Sequence, residues 1–275
     1  MPLRARFSAQ DICADMTTRG LSAGRGRPVL ENTVHRLATI IGHGGQGLAL
    51  ARELAREGVR TRTDLQRPAI LARLSRESQV NVIFNPVRNI PLSTAQSIAA
   101  EIKKRLVFNL NGRPRRFEVF SVGSVRRQAP HVKDIDFLVV IPAGDEAEFE
   151  RVLRSAALRP PRGADTLTVA DTYAAGPRRR SFILRRRTGG RAQNYRTDLF
   201  ITTTAEKPYA LYHFTGPKEF NIRTRAHVKQ KGWLLNQYGL FSAATGRRIP
   251  GSQVRTERAL SEFIGVTHRS PAQRE

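Results

Sequence analysis

The run ENTVHRLATII sets Val34, Leu37, Ile40 and Ile41 three and four residues apart, the spacing of one helix face. GHGGQG interrupts the pattern, and LALARELAREGV resumes it with strong helix formers. TRTDLQRPAILARLS reads as a turn and another helix, and LSTAQSIAAEIKKRLVF as a longer helix that Ser93 or Thr94 would cap. From Arg115 the period changes. RRFEVFSVG alternates, and DFLVVI is a β-branched run closed by Pro142. DEAEFERVLRSAAL turns helical again, and TLTVADTYA, SFILRRR and YRTDLFITTT read as strands. GPRRR and TGGRAQN join these strands as hairpin turns, with Gly189-Gly190 the clearest turn signal. After KPYALYHFTGPKEF, NIRTRAHVKQKG is a basic helix that stops at Gly232. There is no internal repeat. Helices first, then mainly strands, then a mixture predict an α+β fold.

Charge changes what such a fold is for. The 275 residues hold 47 Lys+Arg against 23 Asp+Glu, a formal net charge of +24. That surface attracts polyanions. Most of the basic residues are Arg, whose planar fork suits phosphate. An anionic membrane is the rival partner, but it calls for a concentrated basic amphipathic helix or a lipid anchor, and neither stands in the sequence. No apolar run approaches the length of a membrane span. The single cysteine, Cys13, excludes a disulfide framework within the chain and a cysteine-based zinc site, and it points to a reducing, intracellular compartment. The first residues lack the apolar core of a secretory signal. Residues 1–30, rich in Arg and Gly, read as a basic flexible tail.

Against this cationic background, Asp134 and Asp136 sit at the mouth of the most apolar run. Two apart on a strand, they leave the same face, while Ile135 and Phe137 go to the other. Carboxylates held side by side repel unless a proton or a metal lies between them. A hard divalent cation, magnesium or manganese, fits an all-oxygen site. The plain alternative is a solvated strand end. Upstream, Gly123 allows close backbone approach, and Ser124 with exposed N–H groups can hold a phosphate. Arg126 and Arg127 follow, suited to triphosphate oxygens. Downstream, YRTDLF sets Asp198 in another strand, a third carboxylate through which two metals can share ligands.

G-S, a short spacer, D-I-D and a later strand Asp resemble the nucleotidyltransferase superfamily. YHFTGPKEFNIRTRAHVKQKGWLLNQYGLF resembles the C-terminal subdomain of family X DNA polymerases, the polymerase beta-like enzymes. EKPYALYHFTGP followed by LNQYGLF is similar to the short viral type of that family. The likeness runs from about residue 34 to the C-terminus. It implies a helix–hairpin–helix DNA-binding region over residues 31–89, a nucleotidyltransferase palm sheet over 90–205 and a small mixed C-terminal nucleotide-selection subdomain over 206–275.

The resemblance also implies roles. Asp134, Asp136 and Asp198 match the metal-binding catalytic aspartates, with Asp198 nearest the primer 3′-hydroxyl. Gly123, Ser124 and Arg127 match the β- and γ-phosphate cradle. His213, Phe214, Thr215 and Gly216 match the turn beside the incoming sugar. Most members carry Tyr where His213 stands, and the short viral type has His. An imidazole there would change charge near its ordinary value of about 6.5 and be favoured in protonated form by a triphosphate. Asn221 matches the minor-groove reader of the incoming base, and Arg225 the reader of the templating pair. Each has a plainer reading: Arg127 as a surface charge, His213 as a packed ring, Asn221 as a helix cap, Arg225 as a solvated helix charge. GHGGQG resembles the hairpin of a helix–hairpin–helix. There Gly45 and Gly47 would offer N–H groups to a DNA phosphate, and the carbonyls of Ile41, His43 and Gly45 would hold a monovalent cation.

The expected activity is template-directed filling of short gaps in DNA repair, using two Mg2+ (or Mn2+) ions and deoxynucleoside triphosphates, by a monomer on gapped or nicked DNA. The rivals are a template-independent nucleotidyltransferase and a non-catalytic DNA-binding protein. There are departures from the pattern. Residues 1–30 contain no Lys, so the Schiff-base lyase of the beta-type enzymes is not expected. Asn89 stands where members place a phosphate-binding Arg before Ile-Pro, with Arg88 beside it as the substitute.

Overall fold

The computed structural model describes residues 27–42, 44–107, 117–154, 167–251 and 253–274. Most of the expected basic tail, and His43, lie outside the described residues. The chain forms two compact units, Met1–Ile83 and Phe84–Glu275.

In the first unit, α1 (Arg27–Ile41) and α2 (Gly45–Arg56) flank the Gly-rich turn, followed by short α3 (Arg62–Leu65), α4 (Pro68–Leu71) and α5 (Arg76–Phe84). The core keeps Val34, Leu37 and Ile41 of the face foreseen from periodicity, joined by Ala38, and packs them with Ala51, Leu54, Ala55, Val59 and Leu65, while Ile40 is only partly buried against it. Thr61 caps α3 in a reciprocal box with Asp64. Two glycines of the turn differ in kind. A Cβ on Gly47 would collide with the carbonyl of Gly42, so the turn closes only around a bare backbone, whereas a Cβ on Gly45 meets nothing. Neither has a positive φ, so strain is not what selects them.

The second unit is built on a five-stranded sheet. In chain order its elements are β1 (Ile90–Pro91), α6 (Leu92–Val107), β2 (Glu118–Ser121), α7 (Gly123–Arg126), β3 (His131–Val132), β4 (Ile135–Ile141), α8 (Glu146–Arg154), β5 (Leu167–Gly176), β6 (Arg179–Thr188) and β7 (Arg191–Thr203). The strand order is β2-β4-β7-β6-β5, with β4 and β7 parallel and the other neighbours antiparallel. α6 starts at Leu92, directly after β1, so Ser93 and Thr94 fall inside its first turn and not at its cap. β6 and β7 are joined through Gly189 and Gly190, both at positive φ, as a tight two-residue hairpin requires.

One sheet face packs Phe137, Val139, Leu184, Tyr195 and Leu199 against Ile98 and Ile102 of α6 and Phe149 and Val152 of α8. The other face is covered in part. Leu138 packs with Val122 and with Ala210 and Leu211 of α9 (Lys207–Thr215), and the sheet beside Asp136 stays open. The central strand β4 is apolar on both faces for this reason. The remainder comprises α10 (Lys218–Gln230), the hairpin β8 (Trp233–Asn236) and β9 (Gly239–Ser242), and α11 (Glu257–Ile264). Tyr212, Phe220, Val228, Leu240, Leu260 and Ile264 form its core.

Replacing Gly47 by Val is expected to destabilise the first unit by about 1–3 kcal/mol, the usual cost of overpacking. Gly45→Val should stay within about 0.5 kcal/mol. Urea unfolding of the two variants checks the pair; equal losses would contradict the close approach of Gly47 to Gly42.

Candidate active site

Sheet register assembles the acidic face. Asp134 precedes β4 and Asp136 is its second residue, so both carboxylates leave one face while fully buried Ile135 and Phe137 enter the core. β7 lies parallel to β4 with Asp198 paired to Asp136, which sets the third carboxylate on the same face one strand away. On β6, Ser181 pairs with Asp198 and Arg179 lies two residues earlier on that face. The Ser181 hydroxyl donates to Asp198, and Arg179 Nη2 donates to its Oδ2 at 3.0 Å.

Asp198 is thus buried and held by Arg179 and Ser181, whereas Asp134 and Asp136 face a cleft of about 630 Å³. Among the described residues, no three carboxylate, imidazole or thiol groups converge on one point as they stand. The cleft pair is short of positive charge. Burial pushes the Asp136 carboxyl well above the usual carboxylate range, and Asp134 and Asp198 push it further; Arg179 and Arg127 oppose them. Asp134 is raised for the same reasons, burial first and then Asp198, against Arg196, Lys133 and Arg127. An acidic pair of this kind is an all-oxygen donor set of the type hard divalent cations take.

Gly123 opens α7 at φ 58°, and a Cβ there would collide with the Asp136 carboxylate. Only glycine supplies both the conformation and the space. The Val122 N–H binds the Asp136 carbonyl at 2.9 Å, which ties this turn to β4. Gly123, Ser124 and Arg127 line one wall of the cleft. Arg126 does not join them, contrary to expectation. Its guanidinium forks onto Glu257 at 3.0 and 2.5 Å and reaches the Thr215 hydroxyl, and Arg274 holds the same Glu257 at 2.9 Å. A buried carboxylate shared by two guanidinium groups is the stronger claim on Arg126.

The opposite wall is the end of α9 and the start of α10. α9 stops at Gly216, at φ 59° and ψ −150°, a region glycine alone visits without strain. Arg127 donates to the Thr215 carbonyl. His213, Phe214, Gly216, Asn221 and Arg225 all line the cleft. Asn221 lies inside α10, whose N-cap is Pro217, and its amide donates to the His213 carbonyl at 2.8 Å; it is not a helix cap. Phe214 stacks on Phe200 at 4.0 Å between centroids, and His213 meets Phe214 edge-on at 4.8 Å. Arg225 Nη2 donates to His213 Nδ1 at 2.8 Å. Burial, then the Arg225 charge, pushes the imidazole down to about 4. The expected change of charge near 6.5 is therefore not a property of this ring, which is neutral at physiological pH.

Of the hairpin residues in the first unit, the Ile41 carbonyl already accepts the Ser78 hydroxyl at 2.6 Å. Gly45 is the first residue of α2, so its carbonyl enters the helix ladder, and His43 lies outside the described residues. The hairpin's N–H groups are another matter: α2 has Gly44 as N-cap with no side-chain cap bond, which leaves first-turn donors available. Arg88 and Asn89 are both exposed, and Arg88 feels the charge of Arg196. Sequence reasoning missed Arg179, Ser181, Arg196 and Phe200. Their signal was alternation relative to Asp198, which has meaning only once the strand partners are known.

A family model described as DNA polymerase beta thumb matches residues 210–275. The repair DNA polymerase X of African swine fever virus (isolate Pig/Kenya/KEN-50/1950) is 31% identical over 188 residues, 67% of this chain and 99% of the viral protein. The DNA polymerase/3′-5′ exonuclease PolX of Bacillus subtilis (strain 168) is 27% identical over 158 residues, 57% of this chain and 24% of that protein. Among solved structures, the ternary P/T complex of Leishmania infantum polymerase beta superposes with a TM-score of 0.69 at 22% identity, covering 90% of this chain and 99% of that one. Its ternary gap complex also gives 0.69, at 21% identity. Fold and cleft define a DNA polymerase of the polymerase beta-like kind. The chain belongs to the family X DNA polymerases, as a DNA repair enzyme.

Two measurements test the electrostatics. A carboxyl whose folded pKa is raised prefers protonation in the folded state, so its ionised form weakens the fold as pH rises above the ordinary value. In metal-free buffer at neutral pH, Asp136→Asn should therefore raise Tm, by roughly 2–4 °C for each kcal/mol relieved. The gain should vanish below the usual carboxylate range. A lowered Tm would contradict the repulsion. For His213 the sign is reversed. Its folded value is depressed, so its neutral form supports the fold above the ordinary value, and that support is lost as pH falls from 6.5 toward about 4. An NMR titration showing His213 protonated at about pH 6 would contradict the Arg225 contact.

Proposed function

We propose that this polymerase adds nucleotides to a primer across a short gap under direction of a template, with Asp134, Asp136 and Asp198 as the residues that hold its divalent metals. The observation that carries the reading is the half-buried pair Asp134–Asp136 lining the cleft beside the Gly123 turn, with Asp198 in register one strand away. The donors are all oxygen and short of positive charge, so they fit magnesium or manganese. Asp198 stands in register beside Asp136 and joins them when its carboxylate turns from Arg179. Two such ions supply acidification of the primer hydroxyl and neutralisation of the triphosphate and the leaving pyrophosphate.

The chain's own groups then have distinct tasks. Gly123 and Ser124 receive the terminal phosphates on backbone and hydroxyl donors, and Arg127 binds them as a fixed cation. Its anchoring on the Thr215 carbonyl couples that phosphate contact to the opposite wall. Neutral His213, with Phe214 and Gly216, forms the surface against which the sugar lies. Asn221, held on the His213 carbonyl, reaches toward the base edge, and Arg225 toward the templating pair. In the other unit, the first-turn N–H groups at Gly45 and Gly47 take a DNA backbone phosphate. The basic excess supplies the remaining, sequence-independent affinity. The family relatives support polymerisation.

Primer extension on a one-nucleotide gap tests this. Incorporation should follow the templating base and require added Mg2+. Asp136→Ala and Asp198→Ala should each lower it by at least about a hundredfold, since the lost ligand removes several kcal/mol of transition-state stabilisation, while gapped-DNA affinity is retained. Extension indifferent to the template would favour a template-independent transferase. Wild-type rates in either variant would remove that aspartate from the chemistry.

A further inference from the structure

Arg126 and Arg127 are neighbours in sequence with different surroundings, and both reach Thr215. Arg127 donates to the Thr215 carbonyl, and Arg126 Nη1 to its hydroxyl. Thr215 is fully buried at the end of α9, and Gly216 directly after it lines the cleft wall opposite Gly123 and Ser124. A Cβ on Gly216 would stand 3.4 Å from Arg127 Nη1. The two walls of the cleft thus meet at one residue, which consecutive guanidinium groups grip from the phosphate side.

Arg126 is itself held from behind. It forks onto both oxygens of Glu257, the first residue of α11, and Arg274 Nη2 donates to the same carboxylate at 2.9 Å. The Arg274 side chain is 0% exposed and that of Glu257 10%, so water screens their contact little. Arg274 lies 4.7 Å from the Tyr212 ring centroid and 5.1 Å from that of Phe220, and it reaches the Tyr212 carbonyl at 3.4 Å. α9, α10 and α11 therefore fix Arg274 and Glu257 together, and through them the direction of Arg126. The planar fork of Arg126 suits this double attachment, where a Lys ammonium would offer one point charge. Two guanidinium groups on one carboxylate leave a positive charge over, a cost that apolar packing in the same place would avoid. What the cluster supplies in return is a rigid backing for the Gly123–Arg127 turn.

We infer that Arg126 is a positioning residue for nucleotide binding: held by Glu257 and Arg274, it fixes Thr215 and with it the placement of Arg127 against the incoming phosphates. Arg126 is not among the residues that line the cleft, so it acts through its neighbours. The inference rests on the phosphate role proposed for Arg127. Single-turnover extension of a one-nucleotide gap by the full chain tests it. Apparent nucleotide Kd, maximal rate and gapped-DNA Kd are measured separately, with thermal unfolding alongside. Arg126→Ala, which leaves Glu257 to Arg274, should raise the nucleotide Kd by about tenfold, the size of one misaligned charge-assisted hydrogen bond, and leave the gapped-DNA Kd unchanged. Arg126→Lys, which keeps the charge and loses the fork, should fall between Arg126→Ala and the unaltered chain. Thr215→Val, which removes only the hydroxyl link, should move the nucleotide Kd in the same direction. On an Arg127→Ala background, Arg126→Ala should add less than about twofold, because the group it positions is gone. A cluster that only holds the fold gives another pattern. It lowers Tm or the active fraction at an unchanged nucleotide Kd, or it adds its full effect on the Arg127→Ala background, and either result overturns the inference. Unchanged nucleotide affinity in Arg127→Ala overturns the phosphate role itself and this inference with it. Weakened affinity there, beside unchanged affinity in Arg126→Ala, overturns the positioning role alone.

Discussion

The parallel pairing of β4 with β7 is the constraint on which this enzyme turns. It sets Asp198 beside Asp136 while the alternation of β4 sets Asp134 two residues away on the same face. Three carboxylates then share one patch of a chain that is otherwise strongly cationic. Nothing about net charge relieves them, because screening and distance dilute the far arginines and burial strips away water. The fold accepts this electrostatic cost locally and offsets it with core packing on the other sheet face, where Ile135, Phe137 and Val139 are fully buried.

Space and charge around that patch are distributed rather than pooled. Gly123 gives the Asp136 carboxylate room that any Cβ would take, and Gly216 gives the opposite wall a backbone conformation closed to other residues. Neighbouring arginines have separate duties. Arg126 is consumed by Glu257, which Arg274 also holds, and so joins α7 to α11. Arg127 faces the cleft from a perch on the Thr215 carbonyl. Arg179 occupies Asp198, and Arg225 keeps His213 neutral. In a protein this rich in arginine, function depends on which guanidinium is left unspent and where.

Much of this was legible in the chain itself. Alternation located β2, a β-branched run located β4, and short runs bounded by turn signals located β5, β6 and β7. Gly189-Gly190 located the hairpin, and three- and four-residue spacing located α1 with its buried face. Asp134-Ile135-Asp136 announced two carboxylates on one face because strand geometry allows nothing else. The motif order and the F-T-G turn carried the family. Other elements left no local mark. α9 is buried over Pro208–Tyr212 on most sides, so it shows no amphipathic stripe to read. α11 is different: Thr256 caps its start and Gly265, at positive φ, ends it, local signals that the sequence reading passed over.

The sequence by itself determined which residues bear the chemistry and on which side of their own strand they stand, because periodicity is a property of the local backbone. Only the tertiary structure decided what each one meets. That Arg126 is taken by a carboxylate 131 positions away, that Asp198 rests on Arg179 and Ser181, and that His213 loses its proton to burial and Arg225 all depend on strand register and helix docking. These are pairings between distant segments, and no window along the chain contains both partners.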